Sequence, residues 1–172
     1  MANFKGSNGS FLVLFKDDSR KEIFLIFRTD YPIWVLTGGG IEPGETPEKA
    51  AIREATEETS FKVKVIKSVG HYEFLNKDNS VLRKTFVYEG RVISGTYKPE
   101  FKGNIGKWFS INNLPPDITS ATRRKITDIV THNNELFIKR VKNELPFTSN
   151  LKLLFRHPFA FLKFVNKNFF RK

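Results

Sequence analysis

The sequence predicts an α/β layered domain. Short β-rich apolar runs recur through residues 10–111, an Ala- and Glu-rich helical segment interrupts them, and a second helical segment follows. Strands around one helix with another helix at the end require stacked layers to bury both kinds of apolar face. At 172 residues with 40% apolar content, the chain is long enough for one domain with its own core.

Residues 10–17 (SFLVLFKD) and 22–28 (EIFLIFR) read as a hairpin or as adjacent strands. PIWVL at 32–36 is a shorter strand running directly into three glycines. From Glu48 to Thr59 there is no Gly or Pro, which favours helix, with Thr46 suited to the N-cap and Pro47 to the first helical position. FKVKVI at 61–66 alternates apolar and charged residues, as a strand with one wet face does. Residues 70–75 and 81–93 are further strands joined by a turn-like 76–80. Residues 107–111 form a last strand, closed by Leu114-Pro115-Pro116. Residues 119–142 then read as one long helix with Ile126, Ile129, Val130, Leu136 and Phe137 as its apolar positions.

Composition narrows the possible functions. The absence of cysteine excludes a disulfide framework and thiolate metal sites, and it fits a cytoplasmic protein. MANFKGSNGS offers no apolar run for a signal peptide, and no stretch approaches the roughly 20 apolar residues that span a bilayer. The net charge of +11 is unevenly spread. Residues 38–61 carry six acids against two bases, so an acidic knot sits on a basic body, a distribution suited to collecting cations and then a polyanion.

Glu54, Glu57 and Glu58 lie three and four residues apart, on one helix face. Their mutual repulsion weakens a helix, and a bound hard cation such as Mg²⁺ would offset it. Arg53 beside them can orient a carboxylate through a charged hydrogen bond. Gly38-Gly39-Gly40 and Gly44 permit tight turns and close approach of backbone to a metal or phosphate. Taken alone, the triplet is read more readily as an ordinary solvated acidic helix.

The full spacing reverses that preference. GGGIEPGETPEKAAIREATEETSF at 38–61 resembles the signature of the Nudix hydrolase family, with Gly39, Glu45, Arg53, Glu54, Ala55, Glu57, Glu58 and Phe61 at matching positions. Ser60 stands where the family has Gly, and Thr37 where Pro is frequent. WVLTGGGIEPGE and KWFSINNLPP resemble the family's entry to and exit from the box, so the likeness spans about residues 8–142. It implies a Nudix-like α/β/α sandwich with a mixed sheet, a domain over residues 1–145, and cleavage of a pyrophosphate bond in a nucleoside diphosphate derivative. Nucleoside triphosphates, nucleotide sugars and dinucleoside polyphosphates are the implied substrates. The alternative is a non-catalytic Nudix-fold nucleotide-binding or regulatory module. The resemblance further implies Mg²⁺ or Mn²⁺ held by Glu54, Glu57, Glu58 and the Gly38 carbonyl, with Arg53 in the catalytic set. Gly38, Gly39 and Glu45 would shape the substrate loop, Glu45 and Arg53 mainly as braces. Relatives often add an acid from a later loop; Lys107 stands at the expected place, and Glu89 and Glu100 are nearby acids.

Other residues offer less. His71, His132 and His157 have no zinc-ligand spacing, and Trp34, Tyr72 and Phe74 read as core aromatics before they read as a nucleobase platform. Residues 146–172 form a basic, Phe-rich extension read as an amphipathic helix after Pro158. Docking on the core or a homodimer contact is favoured for it, with membrane-surface contact through 151–172 as a further reading. The basic body also permits an RNA 5′ end as partner, without a recognised RNA-binding motif.

Overall fold

A computed structural model describes residues 8–132 and 135–142. The elements in chain order are β1 (Gly9–Phe15), β2 (Glu22–Arg28), β3 (Ile33–Val35), β4 (Thr37–Gly40), α1 (Pro47–Thr59), β5 (Lys62–Leu75), β6 (Val81–Ser94), β7 (Ile105–Ser110), α2 (Ser120–Thr131) and β8 (Phe137–Lys142). The strands form one mixed sheet in the order β3-β2-β1-β6-β5-β8, with β4 on β1 and β7 on β2. β1 runs parallel to β6, and β5 parallel to β8.

Both faces of β1 and β2 are covered, which explains why their sequences are continuously apolar instead of alternating. Leu12, Leu14, Phe24 and Ile26 turn to one face, where Ala51 and Ala55 of α1 close over them. Val13, Phe15, Ile23 and Leu25 turn to the other, against Ile126 and Ile129 of α2. Full burial of each large side chain here is worth about 1.5–3 kcal/mol. The two alanines let the α1 backbone lie close to the sheet.

β1 and β2 pair only at Phe15 and Ile23. Beyond that point residues 33–40 cross between them: β3 pairs with β2 through Ile33, Trp34 and Val35, and β4 pairs with β1 through residues 37–40. The three glycines expected in a loop are therefore strand residues on β1, leading straight into the connection to α1.

α1 begins and ends through its own side chains. Thr46 Oγ1 accepts a hydrogen bond from the Lys49 N–H, and Pro47 opens the first turn. Ser60 closes the helix in the left-handed region at φ 59°. Thr119 caps α2 in the same way as Thr46 caps α1, accepting from the Thr122 N–H.

Two expectations need correction. The helix expected over 119–142 stops at Thr131, and residues 137–142 form β8. FIKRVK has period 2: Phe137 is buried, Lys139 reaches Asp128 at 2.6 Å and Val141 packs on the core, while Ile138, Arg140 and Lys142 are exposed. Leu136 and Phe137 match the helical stripe only by coincidence of spacing. The strands expected at 61–66 and 70–75 are one strand, β5, whose register on β6 shifts between Val65 and Lys67 and between Ser68 and Gly70. Those shifts break the alternation and hide the continuity. The amphipathic helix expected within 146–172 lies outside the described residues. Among the described residues, no helix is long and apolar enough to cross a membrane.

The left-handed C-cap yields a direct test. Ser60→Gly removes the Cβ strain at φ 59° and is expected to raise the unfolding free energy by about 0.5–1 kcal/mol in urea titrations. A loss of stability would mean that the Ser60 hydroxyl, which donates to the Lys98 carbonyl at 3.3 Å, outweighs the strain.

Candidate functional site

The site begins where β4 meets α1. Gly38 has φ 146°, and a Cβ there would lie 2.4 Å from the Ser10 carbonyl oxygen and 2.7 Å from Phe11 Cα, so backbone blocks any side chain. A Cβ on Gly39 would instead meet the Glu54 carboxyl, 2.3 Å from Cδ. The glycine at 39 thus leaves the space that the Glu54 carboxylate occupies. The Gly38 N–H donates to Glu58 Oε2 at 3.0 Å, tying the far end of the helix face to the same strand.

Arg53 organises the rest. Its Nε and Nη2 donate to the two oxygens of Glu45 at 3.0 Å each, a bidentate pair. Nη1 donates to Glu54 Oε1 at 3.0 Å and to Glu57 Oε2 at 3.2 Å, and Nη2 also donates to the Gly40 carbonyl at 2.9 Å. All five N–H groups of the guanidinium are thereby used. The loop after β4, β4 itself and the helix face are pinned to one cation.

The electrostatics are uneven across the face. The hydrogen bond from Arg53 holds Glu45 below the usual carboxylate range, and the same contact raises Arg53. Burial pushes Glu54 up despite its hydrogen bond from Arg53. Burial also pushes Glu58 up to about 8, against the opposing Gly38 hydrogen bond, with repulsion from Glu54 and Glu100 adding to the rise. A partly buried carboxyl with two acids around it is costly to ionise unless a cation joins it.

Among the described residues, no three His, Asp or Glu side chains are gathered closely enough to form a ready-made metal cage. The donor set nevertheless fits a hard divalent cation. Glu54, Glu57 and Glu58 supply carboxylate oxygens from one helix, and a cation among them would remove the ionisation penalty on Glu58.

Of the later acids, Glu100 acts on Glu54 and Glu58 electrostatically from an exposed position between β6 and β7. Glu89 belongs elsewhere: it is buried beside Arg20 at 3.2 Å and Arg91 at 3.4 Å, next to the core around Phe15. Lys107 is exposed on β7, opposite Leu25. Sequence spacing could not single out Glu100, because only the course of residues 95–104 carries it toward α1. Tyr72 is buried with its hydroxyl donating to Asp128, and Trp34 packs on Phe27 and Phe109. Phe74 lies under the Arg83 guanidinium at 4.0 Å, and His71 packs on Phe86 with Glu73 3.6 Å away.

The two glycines are expected to behave differently on substitution. Gly38→Ala collides with backbone at a left-handed φ and should cost more than about 2 kcal/mol. Gly39→Ala meets only a movable carboxylate and should cost less than about 1 kcal/mol while displacing Glu54. Thermal unfolding of both variants measures the contrast; equal losses would mean that Gly39 is a backbone requirement too.

Comparison with known proteins identifies the family and the fold. Residues 7–129 match the family model described as the NUDIX domain. The chain is 28% identical over 123 residues, 71% of its own length and 78% of the relative's, to a Bacillus subtilis (strain 168) protein provisionally named an 8-oxo-dGTP diphosphatase. It is 34% identical over 103 residues to diphosphoinositol polyphosphate phosphohydrolase 2 of Homo sapiens, covering 58% of this chain and 55% of that one. The chain thus spans about half the length of that relative. Among solved structures, an ADP-ribose pyrophosphatase of Streptococcus suis 89-1591 superposes with a TM-score of 0.61 at 16% identity, over 79% of this chain and 99% of that one. A MutT NUDIX hydrolase of Burkholderia pseudomallei gives 0.56 at 22% identity, over 71% and 96%. These two likenesses bear on the fold. The mixed sheet with a helix on each face is the fold shared with these solved structures, and the chain is a Nudix-type hydrolase that belongs to the Nudix domain family.

Proposed function

We propose that the chain hydrolyses a phosphoanhydride bond in a nucleoside diphosphate derivative, using Mg²⁺ or Mn²⁺ held by Glu54, Glu57, Glu58 and the Gly38 carbonyl. The observation that supports this most is the gathering of Glu54, Glu57 and Glu58 on one face of α1 beside the glycine strand, where burial pushes the Glu58 carboxyl up to about 8 and an added positive charge would favour its ionised form. A divalent cation bound there neutralises diphosphate oxygens and lowers the pKa of water.

The side chains divide the remaining work. Glu54 accepts the proton of the attacking water, since burial has already raised its basicity above that of a free carboxylate. The water oxygen bonds to phosphorus, and the bridging P–O bond breaks, its oxygen leaving with the other phosphoryl group. Arg53 fixes one oxygen each of Glu54 and Glu57 and keeps both aligned. Glu45 holds Arg53 and, through its hydrogen bond from the Glu42 N–H, the loop entering α1. Glu100, whose charge reaches Glu54 and Glu58, would be the acid available to add a further oxygen ligand or to orient water. The activities named for the relatives, on 8-oxo-dGTP and on diphosphoinositol polyphosphates, are consistent with an anhydride as the bond broken.

The test is a product-release screen with Mg²⁺ and Mn²⁺ over nucleoside triphosphates, ADP-ribose, dinucleoside polyphosphates and 5′-triphosphate RNA. Glu57→Gln, on the exposed rim of the face, is expected to keep its thermal midpoint and lose about a hundredfold or more of the turnover. Full turnover in that variant would remove Glu57 from the metal set, and absence of turnover on every substrate by the wild type would overturn the proposal.

A further inference from the structure

The segment between β6 and β7 runs along the C-terminal end of α1. The Lys98 N–H donates to the Thr59 carbonyl at 2.9 Å, and the Ser60 hydroxyl donates to the Lys98 carbonyl at 3.3 Å. Gly95, at φ 107°, lies so close to that end that a Cβ on it would stand 2.9 Å from the Ser60 carbonyl oxygen. Tyr97 sits between these two attachments. Its ring packs on Phe24 of β2 and on Phe61, with centroids 5.4 Å and 6.2 Å away. Gly106 of β7 makes the room, since a Cβ there would lie 2.3 Å from the Phe24 ring and 2.8 Å from the Tyr97 ring. The ring is thus held from β2, from β7 and from the turn after α1.

Packing explains the ring and leaves the hydroxyl unexplained. Tyr97 Oη is buried, and among the described residues it has no hydrogen-bond partner. A phenylalanine would fill the same place without burying an unsatisfied polar atom. Burial raises the Tyr97 pKa and the Glu58 charge adds to the rise, so the hydroxyl lies within the field of that carboxylate. The other donors around Glu58 are committed. The Gly38 N–H holds Glu58 Oε2 at 3.0 Å. Arg28, whose charge also reaches Glu58, donates through Nε and Nη2 to the two oxygens of Asp30. Arg53 spends its N–H groups on Glu45, Glu54, Glu57 and Gly40. Tyr97 is the donor left over.

An ionised carboxylate has about four lone-pair positions to fill, of which the Gly38 N–H takes one. Donors of this kind orient a metal-binding carboxylate and tune its affinity without touching the ion. We propose that Tyr97 is a positioning residue of the α1 site, whose hydroxyl donates to the ionised Glu58 carboxylate, directly or through one water, and fixes its orientation toward a bound divalent cation. The segment that carries Glu100 toward α1 then supplies two groups to the site, an acid at its rim and a donor behind the helix face. This assignment rests on the reading of the α1 face as a cation site.

The experiment is calorimetric titration of Mn²⁺ into the full chain, paired with thermal unfolding in EDTA. Tyr97→Phe keeps the ring and removes only the hydroxyl. It is expected to melt in EDTA at or above the wild-type temperature, because it removes a buried polar atom without a partner. Its Mn²⁺ affinity is expected to fall about tenfold, as for the loss of a donor behind a metal ligand. Tyr88→Phe is the control: Tyr88 is buried on the same face of the sheet, in the field of Glu48, and its loss should leave Mn²⁺ affinity within twofold. Mn²⁺ affinity within twofold of wild type in Tyr97→Phe overturns the assignment, whatever the melting temperature, and so does an equal loss in Tyr88→Phe. Either result, with Mn²⁺ still bound by the wild type, leaves the cation reading standing. Absence of Mn²⁺ binding by the wild type would instead overturn the cation reading and this assignment together.

Discussion

The five hydrogen bonds of Arg53 are the constraint on which the candidate site depends. One guanidinium holds the loop acid Glu45, the strand carbonyl of Gly40 and the helix acids Glu54 and Glu57. Without it, Glu54 and Glu57 would repel one another and have no common orientation, while Glu58 is held separately by the Gly38 N–H. With it, they form a surface of hard oxygens at a fixed distance from the glycine strand. Lysine could not substitute, since a single ammonium lacks the planar fork that reaches four groups at once.

That tie works because the sheet brings both of its ends into position. β1 and β2 carry apolar residues on both faces, and the two helices cover one face each. The opening between β1 and β2 admits residues 33–40, which transfer from one strand to the other and end on glycines. Gly38 is needed because the β1 backbone lies too close for a side chain, and Gly39 because the Glu54 carboxylate stands where its Cβ would be.

Much of this was legible before the structure. The β1, β2 and β6 runs were visible as apolar clusters, and the limits of α1 followed from Thr46, Pro47 and the Ala- and Glu-rich sequence between them. The spacing from Gly39 to Phe61 pointed to the family. What was not legible depended on contacts between distant residues. The β8 strand looked helical because Phe137 fell in phase with the α2 stripe, and only pairing with β5 decides its period. The bulges hid the length of β5. The proximity of Glu100 to Glu58, and of Arg83 to Lys125, arises from loop paths and helix packing that no local pattern encodes. Ser60 shows the opposite case: a residue that disfavours the left-handed region still adopts it, because its N–H donates to Thr56 and the chain must turn into β5.

The central claim is that the α1 face is completed by a divalent cation, which makes ionisation of Glu58 favourable. Calorimetric titration of Mn²⁺ in buffers of different ionisation enthalpy measures the protons released per ion bound. With the Glu58 carboxyl near 8 in the metal-free protein, binding at pH 7 is predicted to release close to one proton, falling toward zero about two pH units higher. Mn²⁺ binding without proton release at pH 7, or with the same release in Glu58→Gln, would contradict the account.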